Sequence, residues 1–416
     1  MFSTTCRSAK RWRASPGDVT VPEPISRPEF FLSPLHDEDG AYDDGLKRIV
    51  GWDLAREAIA RITAWPGYRP TPVLSFKGLA RRCGVAAIDC KYEGARFGIG
   101  SFKALGGAYA LQRVLEGWRG APDGPVAATA SDGNHGLSLA WGARKAGIRC
   151  VVFLHSGVSP MRQSLIEAQG AEIIRVDGNY DVSTATARRV AAENGWVLVP
   201  DTSHDYDINP VHVMAGYGVM VEELLGEAAQ LAMPTHVFIQ GGCGGLAAAI
   251  IGLLRERFPG DLGPRCIIVE PTKADCLIRS ARAGRPLIIE GALDTIMAGL
   301  SVGEASGLAW PVIAHGTDAF MTTTDELAIW VMQGLHLGAF GDAPVDVGDS
   351  GVAGLAGLIS LSGERDLRAA IGLDDQSRVL VIATEGPVDL DGFKALCARD
   401  LSGTGLPDFA AFAVAA

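Results

Sequence analysis

The 416-residue sequence predicts an α/β protein built from mostly parallel sheets covered by helices. Three observations carry that reading. Strand-like apolar runs alternate with glycine-containing loops and helical runs, which is the rhythm of βαβ units. The strand-like runs are almost continuously apolar, as expected of sheets buried on both faces. The length exceeds one ordinary core of roughly 100 to 200 residues, which predicts two lobes or one large unit with an insertion.

Residues 1–30 hold Arg7, Lys10, Arg11 and Arg13 before the first acid, Asp18, followed by the proline-rich VPEPISRPEF. This composition predicts a flexible lead-in rather than a targeting peptide. From Asp44 to Ala64, apolar residues recur at three- and four-residue spacing, predicting one amphipathic helix that ends before Pro66. YRPTPVLSF predicts extended or turn chain around Thr71, leading to a strand-like AIDCKYE. Then VAATA (126–130) precedes SDGNHG and the helical LSLAWGARKAG, CVVFLH (150–155) precedes MRQSLIEAQG, and EIIRV (172–176) precedes STATARRVAAENG. The alternation resumes with HVFIQ (236–240), the loop GGCGG, the helical LAAAIIGLLRERF and CIIVEP (266–271), and closes on RVLVIATEG (378–386). No internal repeat or low-complexity linker interrupts it.

Charge and cysteine usage narrow the functional classes. The 37 basic residues against 48 acidic ones give a net charge of -11, which works against nucleic acid or an anionic membrane as partner. The eight cysteines are scattered, with no CxxC pair, and read as reduced, mostly buried thiols rather than a disulfide framework or a metal site. No apolar run reaches the roughly 18 residues of a spanning helix. The expected location is cytoplasmic.

Three motifs carry chemistry. In RFGIGSFKALGGAYA (96–110), Lys103 sits between a glycine loop and a helical run. Phe102 and Leu105 flank it with apolar surface, while Gly106 and Gly107 admit another backbone or a flat ring. A lysine amine so placed can act as a Schiff-base nucleophile. In SDGNHG (131–136), Asn134 and His135 offer side-chain donors at the carboxyl end of a strand, where open α/β sheets bind ligands, and Asp132 adds a carboxylate. In GGCGG (241–245), successive N–H groups at a helix start form a nest for an anion. Neither a Walker lysine nor a GxGxxG spacing follows, which leaves a single phosphate as the expected ligand. Lysine, amide turn and phosphate nest together specify pyridoxal 5'-phosphate (PLP).

The ordered set SFKALGG, SDGNHG, GGCGG, VEPTKADC, IMAGLSVGEAS and ATEG resembles the fold type II PLP enzymes, the threonine/serine dehydratase superfamily with a tryptophan synthase β-like fold. Within them it is most similar to the diaminopropionate ammonia-lyases, over roughly Asp53 to Asp389. The resemblance implies two domains, each a mostly parallel sheet covered by helices, with the cofactor in the cleft. Residues 31–112 plus 230–416 would form the large domain and 113–229 the small one. It also implies a homodimer.

Residue by residue, the resemblance implies that Lys103 carries PLP, with Phe102 beside it, and that Asn134 bonds the cofactor's phenolic oxygen. Gly241, Gly242, Cys243, Gly244 and Gly245 would surround the phosphate, with Cys243 a small filler rather than a nucleophile. Thr384 would face the pyridine nitrogen and leave it largely unprotonated, which suits β-elimination. Glu304 would line the cofactor's open face or hold a loop. Lys103, Asp132 and Asp201 would be catalytic. One carboxylate would serve as a base complementing the lysine for the opposite enantiomer, the other would lie near the substrate's distal amine.

The sequence departs from the family pattern at His204–Asp207, after DTS, and at Leu137, where a basic residue is expected. The implied reaction is α,β-elimination of 2,3-diaminopropionate to pyruvate and two ammonia. A serine or threonine dehydratase, a lyase for another β-substituted amino acid, and a non-catalytic PLP-binding homologue are the alternatives.

Overall fold

The computed structural model describes residues 25, 27–36, 41–118, 124–131, 133–203, 205–228 and 232–413. Asp132, His204 and nearly all of the predicted lead-in lie outside the described residues. Strand β1 (Phe30–Leu32) is followed by α1 (Asp44–Lys47), α2 (Trp52–Ile62), β2 (Val73–Ser75), α3 (Lys77–Cys83) and β3 (Ala87–Tyr92). A 3-10 stretch (Glu93–Gly98) then leads to α4 (Lys103–Gly117). Next come β4 (Val126–Ser131), α5 (Asn134–Ala146), β5 (Arg149–His155), α6 (Pro160–Glu167), β6 (Glu172–Val176), α7 (Tyr180–Asn194), β7 (Val197–Leu198) and α8 (Ile208–Ala228). The remainder runs β8 (His236–Gln240), α9 (Gly245–Arg257), β9 (Arg265–Pro271), α10 (Cys276–Ala283), α11 (Trp310–Gly316), β10 (Ala319–Thr323), α12 (Asp325–Leu337), α13 (Ala353–Ser360), α14 (Arg365–Ala370), β11 (Arg378–Ala383) and α15 (Leu390–Cys397).

These strands form two sheets. The larger has seven strands in the order β1-β10-β9-β8-β11-β3-β2, and the smaller has four in the order β6-β5-β4-β7. The smaller sheet is wholly parallel. In the larger one only the edge strands β1 and β2 run antiparallel to their neighbours. The predicted α/β class with mostly parallel sheets therefore holds. Every residue of β8 is buried: Val237–Ile239 are apolar, and the polar ends His236 and Gln240 bond backbone carbonyls. Since β3, β11 and β8 lie side by side and parallel, their carboxyl ends meet at one edge. That edge carries the chain toward Lys103, Thr384 and the glycine loop, the place where such sheets bind ligands.

The expected single helix from Asp44 to Ala64 is two helices. Gly51 has an extended backbone, and Trp52 N–H donates to Glu256 Oε2 at 2.7 Å, so a residue of α9 caps α2 from outside. The Trp52 indole also donates to the Leu253 carbonyl at 3.0 Å. Tertiary capping thus outweighs the local periodicity. Similarly, α5 begins at Asn134 and not after Gly136, which places Asn134 and His135 in its first turn.

Between β3 and α4 the chain is pinned by a buried charge network. Arg96 bonds Glu223 and Glu93, both at 2.7 Å, and Lys91 Nζ lies 2.8 Å from Glu223 Oε2. Two cations face two anions, so the buried charges are matched. Helix α4 then packs tightly on α8: a Cβ at Gly216 would come within 2.0 Å of the Leu105 carbonyl oxygen.

Candidate active site

Lys103 is the first residue of α4, and Phe102 N–H before it donates to the Thr384 carbonyl at 3.0 Å, tying the start of α4 to the end of β11. From there Lys103 Nζ reaches Asp201 Oδ2 at 2.9 Å. The Tyr180 hydroxyl donates to the other oxygen of Asp201 at 3.1 Å. Burial by itself would raise the Asp201 carboxyl, but Lys103, His135 and the Tyr180 bond outweigh it and hold the group well below the ordinary carboxylate range. Asp201 is therefore an anion at neutral pH.

A cavity surrounds this pair, lined by Phe102, Lys103, Asn134, Tyr180, Asp201, Tyr217, Gln240, Gly241, Gly242, Cys243, Gly245, Leu246, Ser350, Thr384, Glu385 and a short segment around Leu300. All three predicted motifs and Thr384 thus converge on one space. Phe102 is buried and packs on Tyr217, with ring centroids 4.7 Å apart. The glycine loop turns from β8 into α9 through positive φ at Gly242 (62°) and Gly244 (100°), and Cβ at Gly244 would strike Ile313 at 2.4 Å. Gly245 and Leu246, the first residues of α9, line the cavity, so helix-start N–H groups border it. Burial raises the Cys243 thiol, and Asp201 adds to the shift, which makes a poor nucleophile and a suitable filler.

Two expected residues stand apart from the lining. Gly244 shapes the turn without facing the cavity. Glu304 is not among the lining residues, and its backbone instead pairs with Ile288. His135 Nε2 bonds the Val199 carbonyl at 2.9 Å and so ties α5 to the segment after β7.

Tyr180, Glu385, Gln240 and Ser350 are among the lining residues that escaped the sequence reading. Tyr180 opens α7 just beyond β6, and its only sequence signal was that position after a strand. Glu385 lies inside the quoted ATEG. Its carboxyl accepts from Asn134 Nδ2 and from Ser350 N–H at 3.3 Å. Burial and then Asp349 push it up to about 7, opposed by Arg162 and these bonds. Gln240 donates to the Ile382 and Gly351 carbonyls, at 2.6 and 3.0 Å, which cross-links β8, β11 and the chain before α13. Ser350 accepts from Gly299 N–H at 2.9 Å. A larger cavity of about 680 Å³ adjoins this one, sharing Tyr180 and Glu385 and bordered by His155, Arg162, Asp349 and Asp389.

The family model described as "pyridoxal-phosphate dependent enzyme" matches residues 64–385, and the chain belongs to that family. It is 34% identical to diaminopropionate ammonia-lyase of Salmonella typhimurium over 373 residues, covering 82% of this chain and 91% of the relative. The relative of the same name from Escherichia coli K12 is also 34% identical, over 82% of this chain and 89% of its own. The crystal structure of the Escherichia coli enzyme in complex with an aminoacrylate-PLP azomethine reaction intermediate superposes with a TM-score of 0.80 at 31% identity, covering 89% of this chain and 97% of that one.

The cofactor of the family is PLP, and the residues present suit it. One lysine, the Asn134 carboxamide and a glycine turn at a helix start border the same space.

Proposed function

We propose that this protein is an ammonia-lyase that eliminates ammonia from 2,3-diaminopropionate to give pyruvate and two ammonia. The observation that carries the reading is the Lys103–Asp201 pair at 2.9 Å, with Tyr180 on the far oxygen of the carboxylate, inside the glycine-lined cavity. The names of the relatives agree with it.

Lys103 would hold PLP, with Gly241, Gly242, Cys243 and Gly245 around the phosphate, Asn134 at the phenolic oxygen, Thr384 at the ring nitrogen and Phe102 against the stem of the lysine. When bound, PLP supplies the electron sink that makes the α-hydrogen of an amino acid acidic. Lys103 Nζ takes the α-proton, and Asp132 is the second base for the opposite enantiomer. Asp201, kept ionised, binds the distal nitrogen and keeps it an ammonium, the form that departs as neutral ammonia. Tyr180 fixes the carboxylate for that task. The C–H and C–N bonds break as the C=C bond forms, and the enamine acid that remains hydrolyses in water to pyruvate and the second ammonia.

We also read residues 31–112 with 230–416, and 113–229, as two domains about the cleft; α4 spans the first boundary. Among the described residues no helix is long and apolar enough to cross a membrane. A cytoplasmic location rests on the seven cysteines that are free among the described residues, and a homodimer on the family resemblance.

The test is a panel of L- and D-diaminopropionate, serine, threonine and hydroxyaspartate, scored for 2-oxo acid and ammonia together. A diamino substrate releases two ammonia per 2-oxo acid and a hydroxyamino acid releases one. Faster turnover of serine or threonine than of diaminopropionate would overturn the assignment in favour of a dehydratase. Binding of PLP without turnover of any amino acid would mark a non-catalytic homologue.

A further inference from the structure

We propose that Glu385 is a positioning residue that holds the Asn134 carboxamide in one orientation toward the Lys103 pocket. The proposal rests on the reading of that pocket as the PLP site.

Asn134 heads α5, directly after a strand of the four-stranded sheet, and Glu385 follows β11 of the seven-stranded sheet. Asn134 Nδ2 donates to Glu385 Oε2, a bond between residues 251 positions apart that joins the two sheets across the pocket. Both side chains are almost wholly buried, at 5% and 2% exposure. The far end of the carboxamide, Oδ1, is buried without a hydrogen-bond partner among the described residues. Glu385 is the one described side chain bonded to this carboxamide, so it alone decides which way the amide faces.

Glu385 is itself held rigidly. Its carbonyl accepts from Gly348 N–H at 3.0 Å, its backbone bridges Ser101 two residues before Lys103, and Oε1 takes the Ser350 N–H. Beyond Ser350, the neighbouring Asp349 pairs with Arg162 of α6 at 3.4 Å. A carboxyl group retains acceptor capacity in either protonation state, so the bond to Asn134 Nδ2 survives titration of Glu385. Without that acceptor the carboxamide turns about a soft, two-fold torsion. Nδ2 carries two hydrogens, of which Glu385 takes one and the second is left as the donor for the cofactor's phenolic oxygen. Rotation exchanges the N–H and C=O ends and puts Oδ1 in the donor's place. A donor there would then be replaced by an oxygen–oxygen repulsion.

The experiment uses full-length protein reconstituted with PLP and reads the visible absorbance band of the bound cofactor, kcat and KM. Glu385→Leu, which keeps bulk but removes the acceptor, is expected to shift the band and lower kcat roughly 10- to 100-fold, with a smaller change in KM. Glu385→Gln, which offers Oε1 to Asn134, is expected to restore the band and most of the lost rate. In an Asn134→Ala background, Glu385→Leu should cost nothing further, because its effect passes through the amide. Glu385→Ala, with room for water, replaces Glu385→Leu should the latter not fold. A parental band in the acceptor-free variant, even with a lowered melting temperature, would overturn the proposal, as would a full additional loss in the Asn134→Ala background. The band is read without substrate, so failure to turn over diaminopropionate would count against the proposed reaction alone.

Discussion

Asp201 Oδ2 lies 2.9 Å from Lys103 Nζ, although the two are 98 positions apart in the chain. The pair is two-sided, because Tyr180 occupies the other carboxylate oxygen and prevents the group from turning away. Lys103→Ala should abolish turnover and the absorbance of lysine-bound PLP, read in a visible spectrum of the reconstituted protein. Retention of that band would remove Lys103 from the centre of the site.

Asp201→Asn keeps the shape and the acceptor for Tyr180 but removes the charge. We expect kcat to fall by about 10²- to 10⁴-fold, the usual worth of a placed acid or base. The folded value of Asp201 is depressed, so the stability it contributes is complete above its unfolded value of about 3.9 and is lost only as pH falls below it. A pH–rate profile between about pH 5 and pH 9 should therefore show no limb from Asp201.

Gly244→Ala should damage the anion nest without touching its lining. A side chain at φ 100° is strained by about 1 to 2 kcal/mol, and its Cβ would meet Ile313 at 2.4 Å. The expected result is an apparent Kd for PLP raised at least about tenfold in titrations of the apoprotein. An unchanged Kd would show that the loop tolerates another path.

Cys243 borders the pocket, yet burial holds its thiol above the usual value and thiolate is scarce. Iodoacetamide near neutral pH should leave the activity of the PLP-loaded protein intact. Inactivation that tracks modification of Cys243 would contradict this.

Arg96→Ala would leave Glu93 and Glu223 facing Lys91 alone in a buried setting. Breaking one partner of such a network costs about 3 to 5 kcal/mol, measurable as a lower midpoint in urea. Because Arg96 anchors the segment that leads into α4, PLP affinity should weaken in parallel.

Much of this site was legible because its pieces are local. Lys103, Asn134 and the 241–245 run each sit in a short segment whose glycines and flanking strand mark a turn at the end of a sheet. What no segment contains is the pairing between segments. Glu385 was written in ATEG, but its bond to Asn134 depends on β11 lying opposite the start of α5. Tyr180 belongs to a helix whose periodicity says nothing about Asp201. The same limit explains the helix broken at Gly51, where Glu256 supplies a cap that local spacing does not encode. Glu304, expected to line the cofactor's open face or to hold a loop, is not among the lining residues, and its backbone pairs with Ile288.

The strand order has a consequence for how the chain acquires its shape. In the seven-stranded sheet, β3 (87–92) lies against β11 (378–383), and everything between must be made before the two can meet. The four-stranded sheet needs only the chain from 126 to 198, a far shorter span. Loop closure over so long a stretch is slow compared with closure within one segment. The smaller sheet should therefore collect first, with one edge of β3, the one away from its local partner β2, exposed to other chains until β11 arrives. Thr384 and Glu385 follow β11, so the cavity around Lys103 gains this wall only when β11 docks, and a ligand bound there would stabilise chains that have reached that point.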